Sequence, residues 1–314
     1  MILISLAIIK LTVIAALGYY LFKKKVIDEK VLNFLVFFVI NITIPFMAFS
    51  RIIGSHDIAR KPPLVFLFLS TCIFLVSAGL AFLFSFWRSH ALKREFISIV
   101  SFQNCGYLPL NIALFLFPPL MREEFIVYVF LYILGFDIIL WSVGSYFIFR
   151  RKGEAFKGRS LLTPPIASTL AALFLVYTNT GRFIPPVIIA PMKMIGDVSF
   201  VLSMIILGCW LAKIDLARFY TRLFIVIEAS FLKLVAVPLA CLFLVVHYDI
   251  SGLFGFFIVL QASMPSAVTL PIVVNLRSAD SEFVSQGVFL THIASIITVP
   301  VWLGLYMRLT GFRF

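Results

Sequence analysis

Charge is scarce in this chain of 314 residues: Asp, Glu, Lys and Arg make up 13% of it. An ordinary soluble domain carries about 25%. A globule of this length has too much surface to cover with so little charge. A soluble enzyme, a disordered protein and a nucleic-acid-binding domain are therefore excluded. Cysteine is also scarce and shows no pattern. Cys72, Cys105, Cys209 and Cys241 all lie inside apolar runs, with no CxxC and no His spaced to complete a zinc site. They read as free buried thiols, and no metal or cofactor is expected. No basic residue precedes the first apolar run, whereas Lys23, Lys24 and Lys25 follow it. A secretory signal peptide has the reverse order. The run therefore reads as a membrane span that leaves the N-terminus outside.

Apolar residues are abundant, at 62% with a mean hydropathy of +1.10. A spanning helix needs about 20 apolar residues. Ten hydrophobic runs of that kind follow one another at 2–22, 31–50, 63–87, 95–118, 125–149, 161–178, 193–212, 220–246, 253–275 and 284–307. The expected fold is an all-α polytopic membrane protein of ten transmembrane helices. Lys and Arg number about 16 in the loops after odd-numbered spans and about 8 on the other side. Positive loops stay in the cytoplasm, so both termini are expected on the non-cytoplasmic side. The net charge of +12 is mostly this topology signal, and no nucleic-acid partner is expected. In a bacterium, such a protein would sit in the cytoplasmic (inner) membrane.

A gapless shift of 158 residues lays the chain on itself. Asp57-Ile58-Ala59-Arg60 falls on Asp215-Leu216-Ala217-Arg218, Gln103 on Gln261, Glu124-Phe125 on Glu282-Phe283, and Ile138-Ile139 on Ile296-Ile297. Two five-span repeats result, at 1–150 and 151–314. Five is odd, so the second copy enters the membrane from the opposite side. Inverted repeats of this kind are the architecture of many secondary transporters.

The fourth and ninth spans carry breakers at equivalent places. The fourth contains Gln103-Asn104-Cys105-Gly106-Tyr107-Leu108-Pro109, and the ninth contains Gln261-Ala262-Ser263-Met264-Pro265-Ser266. Proline removes a backbone donor and clashes with the preceding turn. Inside a membrane the freed groups need protein, water or ligand. Interruptions matched between halves point to a binding site. A half-helix that begins at mid-membrane presents free N–H groups and about +0.5 charge, which suits an anion. Gln103, Asn104, Tyr107, Gln261, Ser263 and Ser266 would add directional hydrogen bonds. A plain proline kink, with the amides joining neighbouring helices, is the alternative.

At these residues the chain resembles the auxin efflux carrier family, which includes the plant PIN carriers, the PIN-likes and many bacterial permeases. The similar stretches are Asn41 to Pro45, Asn104 to Leu110, Gly196-Asp197 through Leu207-Gly208, Lys233-Leu234 with Pro238, and Gln261 to Val268 running on to Val299-Pro300-Val301-Trp302-Leu303. The resemblance implies a scaffold bundle of spans one, two, six and seven. It implies a transport bundle of spans three to five and eight to ten, with spans four and nine crossing. It implies a substrate carboxylate held near that crossing by Asn104, Pro109 and Ser263, Met264, Pro265 and Ser266, with Asn41 nearby. It further implies an elevator-type motion and a homodimer. The long central loop of the plant carriers is absent here. Their acidic–basic pair on the third span is absent too, since 64–86 carry no charge.

Ionisable groups at membrane depth are costly and usually have a role. Lys233 lies mid-way along span eight, with Glu228 five residues earlier. Asp137 lies in span five and His292 in span ten. Lys233 is expected to pair with Asp137 or Glu228, either as a static pair or as a stand-in for a coupling sodium ion or a carrier of a coupled proton. No HExxH occurs and Gly135-Phe136-Asp137 is not a GxGD motif, so no enzyme is indicated. The expected function is secondary transport of a small organic anion, a mono- or dicarboxylate. Its partners would be the lipid bilayer and a coupled proton or sodium. A sodium or cation/proton antiporter of similar inverted-repeat architecture is the alternative.

Overall fold

The structure is a computed structural model and describes residues 2–54, 62–140, 144, 162–213, 222–268, 270–271 and 281–313. The matched segments 57–60 and 215–218 lie outside these residues. The described residues form helices and no strands. In chain order the helices are α1 (Ile2–Lys23), α2 (Glu29–Phe38), α3 (Ile44–Gly54), α4 (Pro63–Phe84), α5 (His90–Ser101), α6 (Tyr107–Leu116) and α7 (Pro119–Ile139). There follow α8 (Pro164–Tyr177), α9 (Pro186–Ala212), α10 (Leu223–Phe231), α11 (Val237–His247), α12 (Gly252–Ser263) and α13 (Ser281–Thr310). Six described stretches are long and apolar enough to cross a membrane: Leu3–Lys23, Glu29–Gly54, Pro63–Phe84, Pro186–Ala212, Leu223–His247 and Glu282–Thr310. The protein is an integral membrane protein. The broken fourth and ninth runs appear as shorter helices, and α8 rises only roughly 21 Å over its 14 residues.

Two of the helical runs leave α-helical geometry just before a proline. Val39–Thr43 and Leu232–Ala236 are π-helical turns that join α2 to α3 and α10 to α11. Each sits just before a proline, Pro45 or Pro238. Proline cannot donate to the carbonyl four residues earlier, and its ring crowds that carbonyl. For Pro238 that carbonyl belongs to Leu234, and Trp302 Nε1 donates to it at 2.7 Å. The orphaned acceptor thus ties α13 to the eighth run. The seventh helix starts at Pro186, earlier than 193, because a proline at the first helical turn loses no bond. Pro191 then lies inside the helix.

α1 packs along α9, and α3 packs on α8 and α9. Small residues allow the α1–α9 approach. A Cβ on Gly208 would fall on the Ala15 carbonyl, and one on Gly18 would fall on that of Ile205. Cys209 Sγ donates to the Gly18 carbonyl at 3.3 Å. On the other side of the molecule α4 packs on α5 and α7, and α13 packs on α10, α11 and α12. Aromatic rings fill that region. Phe66 lies 5.0 Å from Tyr128 and 5.9 Å from Phe257, and Phe125 lies 5.3 Å from Phe257, mostly in tilted or edge-on contacts. The two regions meet where α6 touches α1 and α9, α13 touches α1, and α7 touches α3 and α8. Asn111 bridges one of these seams, donating to Ser203 Oγ on α9 at 2.9 Å.

Candidate functional site

α5 stops at Ser101 because Phe102 is extended (φ −98°, ψ 104°). α12 stops at Ser263 because Met264 is extended (φ −66°, ψ 142°), the conformation favoured in a residue before proline. The two extended pieces run antiparallel, with Gln103 opposite Ser266. Asn104 N donates to the Pro265 carbonyl at 2.7 Å and Ala267 N to the Phe102 carbonyl at 2.8 Å. Two interrupted helices therefore satisfy part of each other's backbone where water is absent. Ser266 Oγ donates to the Ile99 carbonyl at 2.7 Å, closing one free acceptor at the end of α5. Thr291 Oγ1 on α13 accepts from Ser266 N at 3.3 Å. Gln261 Nε2 donates to the Cys105 carbonyl at 3.1 Å.

The side chains of the crossing continue outward in two directions. Gln103 Nε2 donates to Tyr132 OH at 2.6 Å, and its Oε1 accepts from Lys233 Nζ at 3.3 Å. Lys233 is fully buried. Asn104 Oδ1 accepts from Leu108 N at 3.4 Å, at the start of α6, and its Nδ2 lies 3.5 Å from His292 Nε2. Gln261 Oε1 and Ser101 Oγ are buried and have no hydrogen-bond partner.

A cavity of about 330 Å3 opens against this crossing. Gln103, Asn104, Cys105, Gly106 and Tyr107 form one wall, Ala267 and Val268 another, and Asp137 faces in from α7. Ile40 and Ile44 of the second run and Thr163 and Pro165 at the start of α8 close it. A second cavity of about 290 Å3 lies between α1, α9 and α13, lined by His292 and Ser295 amid apolar residues and touched by Leu108 of α6. Asn104 lines the first cavity and meets His292, which lines the second, so this pair stands between them.

Most residues expected at the site meet here. Gln103, Asn104 and Tyr107 line the larger cavity. Gln261, Pro265, Ser266, Lys233 and His292 are bonded to its wall or adjoin it. Met264 is buried in the crossing itself. Ser263 Oγ is turned back onto the Leu260 carbonyl, and Pro109 is buried in the first turn of α6. Asn41 donates to the Phe37 carbonyl of its own helix at 2.8 Å and does not line the cavity, although Ile40 and Ile44 do. The expected pairing of Lys233 with Asp137 or Glu228 does not occur. Lys233 bonds to Gln103, Glu228 pairs with Arg88, and the Asp137 side chain faces the cavity with no hydrogen bond or ion pair among the described residues. Five residues of helix turn Glu228 and Lys233 onto different faces, which accounts for the first separation.

Sequence reasoning missed Tyr132 and Thr291, ordinary polar residues whose partners lie on other helices. It also missed an ion cluster. Arg51, buried in the last turn of α3, donates to Glu123 on α7 and to Asp197 on α9, and Lys193 Nζ lies 3.1 Å from Glu123. Arg51 at the end of an apolar run was the available signal, but its partners are 72 and 146 residues away.

A family model described as membrane transport protein matches residues 3–160 and 154–303. The chain belongs to this family, the auxin efflux carriers. Among curated proteins, an uncharacterized transporter, MJ1031, of Methanocaldococcus jannaschii is 24% identical over 283 residues, covering 87% of this chain and 88% of that protein. The protein is thus a membrane transporter, and the crossing of its interrupted helices joins a cluster of buried polar side chains.

Proposed function

We propose that this transporter is a secondary carrier for a small organic anion, a mono- or dicarboxylate, bound in the cavity at the crossing. The observation that carries this reading is the cavity wall itself. It combines the Asn104 amide with the opening of α6, where the amides of Gly106 and Tyr107 have no earlier helical acceptor. A carboxylate there would accept from those amides and from Asn104 Nδ2, and the α6 dipole would favour its charge. The size of the cavity suits a compact ligand.

The ten-span inverted repeat belongs to the same proposal, and the packing supports it. Exchanging the halves turns the pair of spans one and seven (α1 on α9) into spans six and two (α8 on α3), which also pack together. The pairs three–five (α4 on α7) and eight–ten (α10 and α11 on α13) are exchanged likewise. In this reading the scaffold is spans one, two, six and seven, and the aromatic-filled remainder moves against it as an elevator. The positive-loop count puts both termini outside. The larger cavity then lies toward the cytoplasm, and the Arg51 cluster closes the outer side.

Counterflow in proteoliposomes, with a panel of labelled small carboxylates, tests the proposal. Exchange of at least one is expected. Silence across the panel together with a sodium- or pH-jump response would favour the alternative, a cation/proton antiporter. Asp137 in the cavity and the unmet acceptor of Gln261 nearby are the features such an antiporter would use.

A further inference from the structure

We propose that the cavity takes up its carboxylate together with one proton, and that Asp137 holds that proton. This rests on the anion-carrier reading above and adds its coupling. Among the described residues, the wall of the cavity contains one carboxylate, Asp137, and no Lys, Arg or His. Among the described residues no cation neutralises Asp137, whose side chain makes no hydrogen bond or ion pair with any of them. A sphere of about 330 Å3 is roughly 9 Å across, so a carboxylate inside the cavity lies within electrostatic range of Asp137. Two carboxylates sharing such a space do not both stay ionised. The incoming anion accepts from the α6 amides and Asn104, which favours its charge. Asp137 has no such donors, so the proton resides there.

Among the described residues, the groups around Asp137 do not offer another carrier. From the crossing it faces Cys105 and Tyr107. Lys233 stands behind Gln103, and His292 stands behind Asn104. α4 brings no charge, α8 and α12 bring none, and Arg51 of α3 is engaged by Glu123 and Asp197 at the other end of α7. The step balances simply. The Asp137 carboxylate gains one proton from the side to which the cavity opens, the anion binds, and both cross. Release of the anion restores repulsion-free ionisation, and the proton leaves on the same side. A monocarboxylate therefore moves without net charge, and a dicarboxylate moves with one negative charge.

The test uses the full chain in proteoliposomes, with lactate, succinate and glycine as probes and protein-free vesicles as the baseline. Lactate stays ionised from pH 6 to 8, so the pH dependence of its binding reports the protein. Its Kd is expected to weaken by up to tenfold per pH unit, and a trapped pH dye is expected to show lumen acidification as the transported carboxylate enters. Asp137→Asn is expected to flatten the pH profile and abolish the acidification. If that variant does not fold, the wild-type dye signal decides alone. Carboxylate counterflow with a flat profile and no acidification would overturn this proposal and leave the carrier reading intact. Glycine binding independent of pH, with no carboxylate bound, would overturn both, with Asp137 instead taking the ammonium of a zwitterion.

Discussion

Asn104 and Lys233 do different work at the same crossing. Asn104 lines the larger cavity and also reaches both the start of α6 and His292. Removing one hydrogen bond to a charged ligand costs about 1.5–3 kcal/mol, and each 1.4 kcal/mol is roughly tenfold in affinity. Asn104→Ala should therefore weaken carboxylate binding at least about tenfold, with normal membrane insertion; titration calorimetry on the purified variant checks it. Lys233 is fully buried against one amide oxygen and has no ion-pair partner among the described residues. Replacing a buried charge by an apolar side chain of similar length is often neutral or stabilising. Lys233→Met should thus keep or raise Tm while abolishing flux, because the ammonium orients Gln103 in the cavity wall. Wild-type flux in that variant would reduce Lys233 to a packing residue.

At the scale of elements, the breaks in the fourth and ninth helices were readable because their causes are local. Pro265 imposes an extended Met264, and Gly106 precedes the renewed helix, so the polar clusters could be placed on broken helices. The two π-turns were not readable. Pro45 and Pro238 announce a disturbance, but a kink, a break and a π-turn all answer it, and for Pro238 the freed carbonyl of Leu234 is met by Trp302, 68 residues away. The same limit hid the partners of Lys233: spacing excludes a shared face with Glu228, but Gln103 is 130 residues distant. The Arg51 cluster is the plainest case, since three helices supply its members. It joins α7 to α3 and α9 through the buried Arg51, and because Glu123 and Asp197 are partly exposed, solvent screening holds each pair to about 1 kcal/mol. Arg51→Ala is expected to lower the unfolding temperature by several degrees. If α7 moves against α3 and α9 during transport, the variant should also shift the balance of facing states. An unchanged melting curve would show that the cluster carries no such load.

For the whole molecule, composition and loop charge were enough to identify a polytopic membrane protein, and the 158-residue repeat was enough to expect two halves. Cavity shape was not legible. It depends on which helices meet, and the described wall comes from five separate parts of the chain. If the transported carboxylate occupies this cavity, Cys105 in its wall is a native reporter of its arrival. The measurement is the rate at which N-ethylmaleimide modifies Cys105 in reconstituted wild-type protein, followed by peptide mass spectrometry. It is made with and without a carboxylate that shows counterflow. Half-buried Cys72 on α4, outside the cavity, is the internal control. The account predicts that saturating carboxylate slows modification of Cys105 and leaves Cys72 unchanged. Equal rates at Cys105 with and without a transported carboxylate would contradict it.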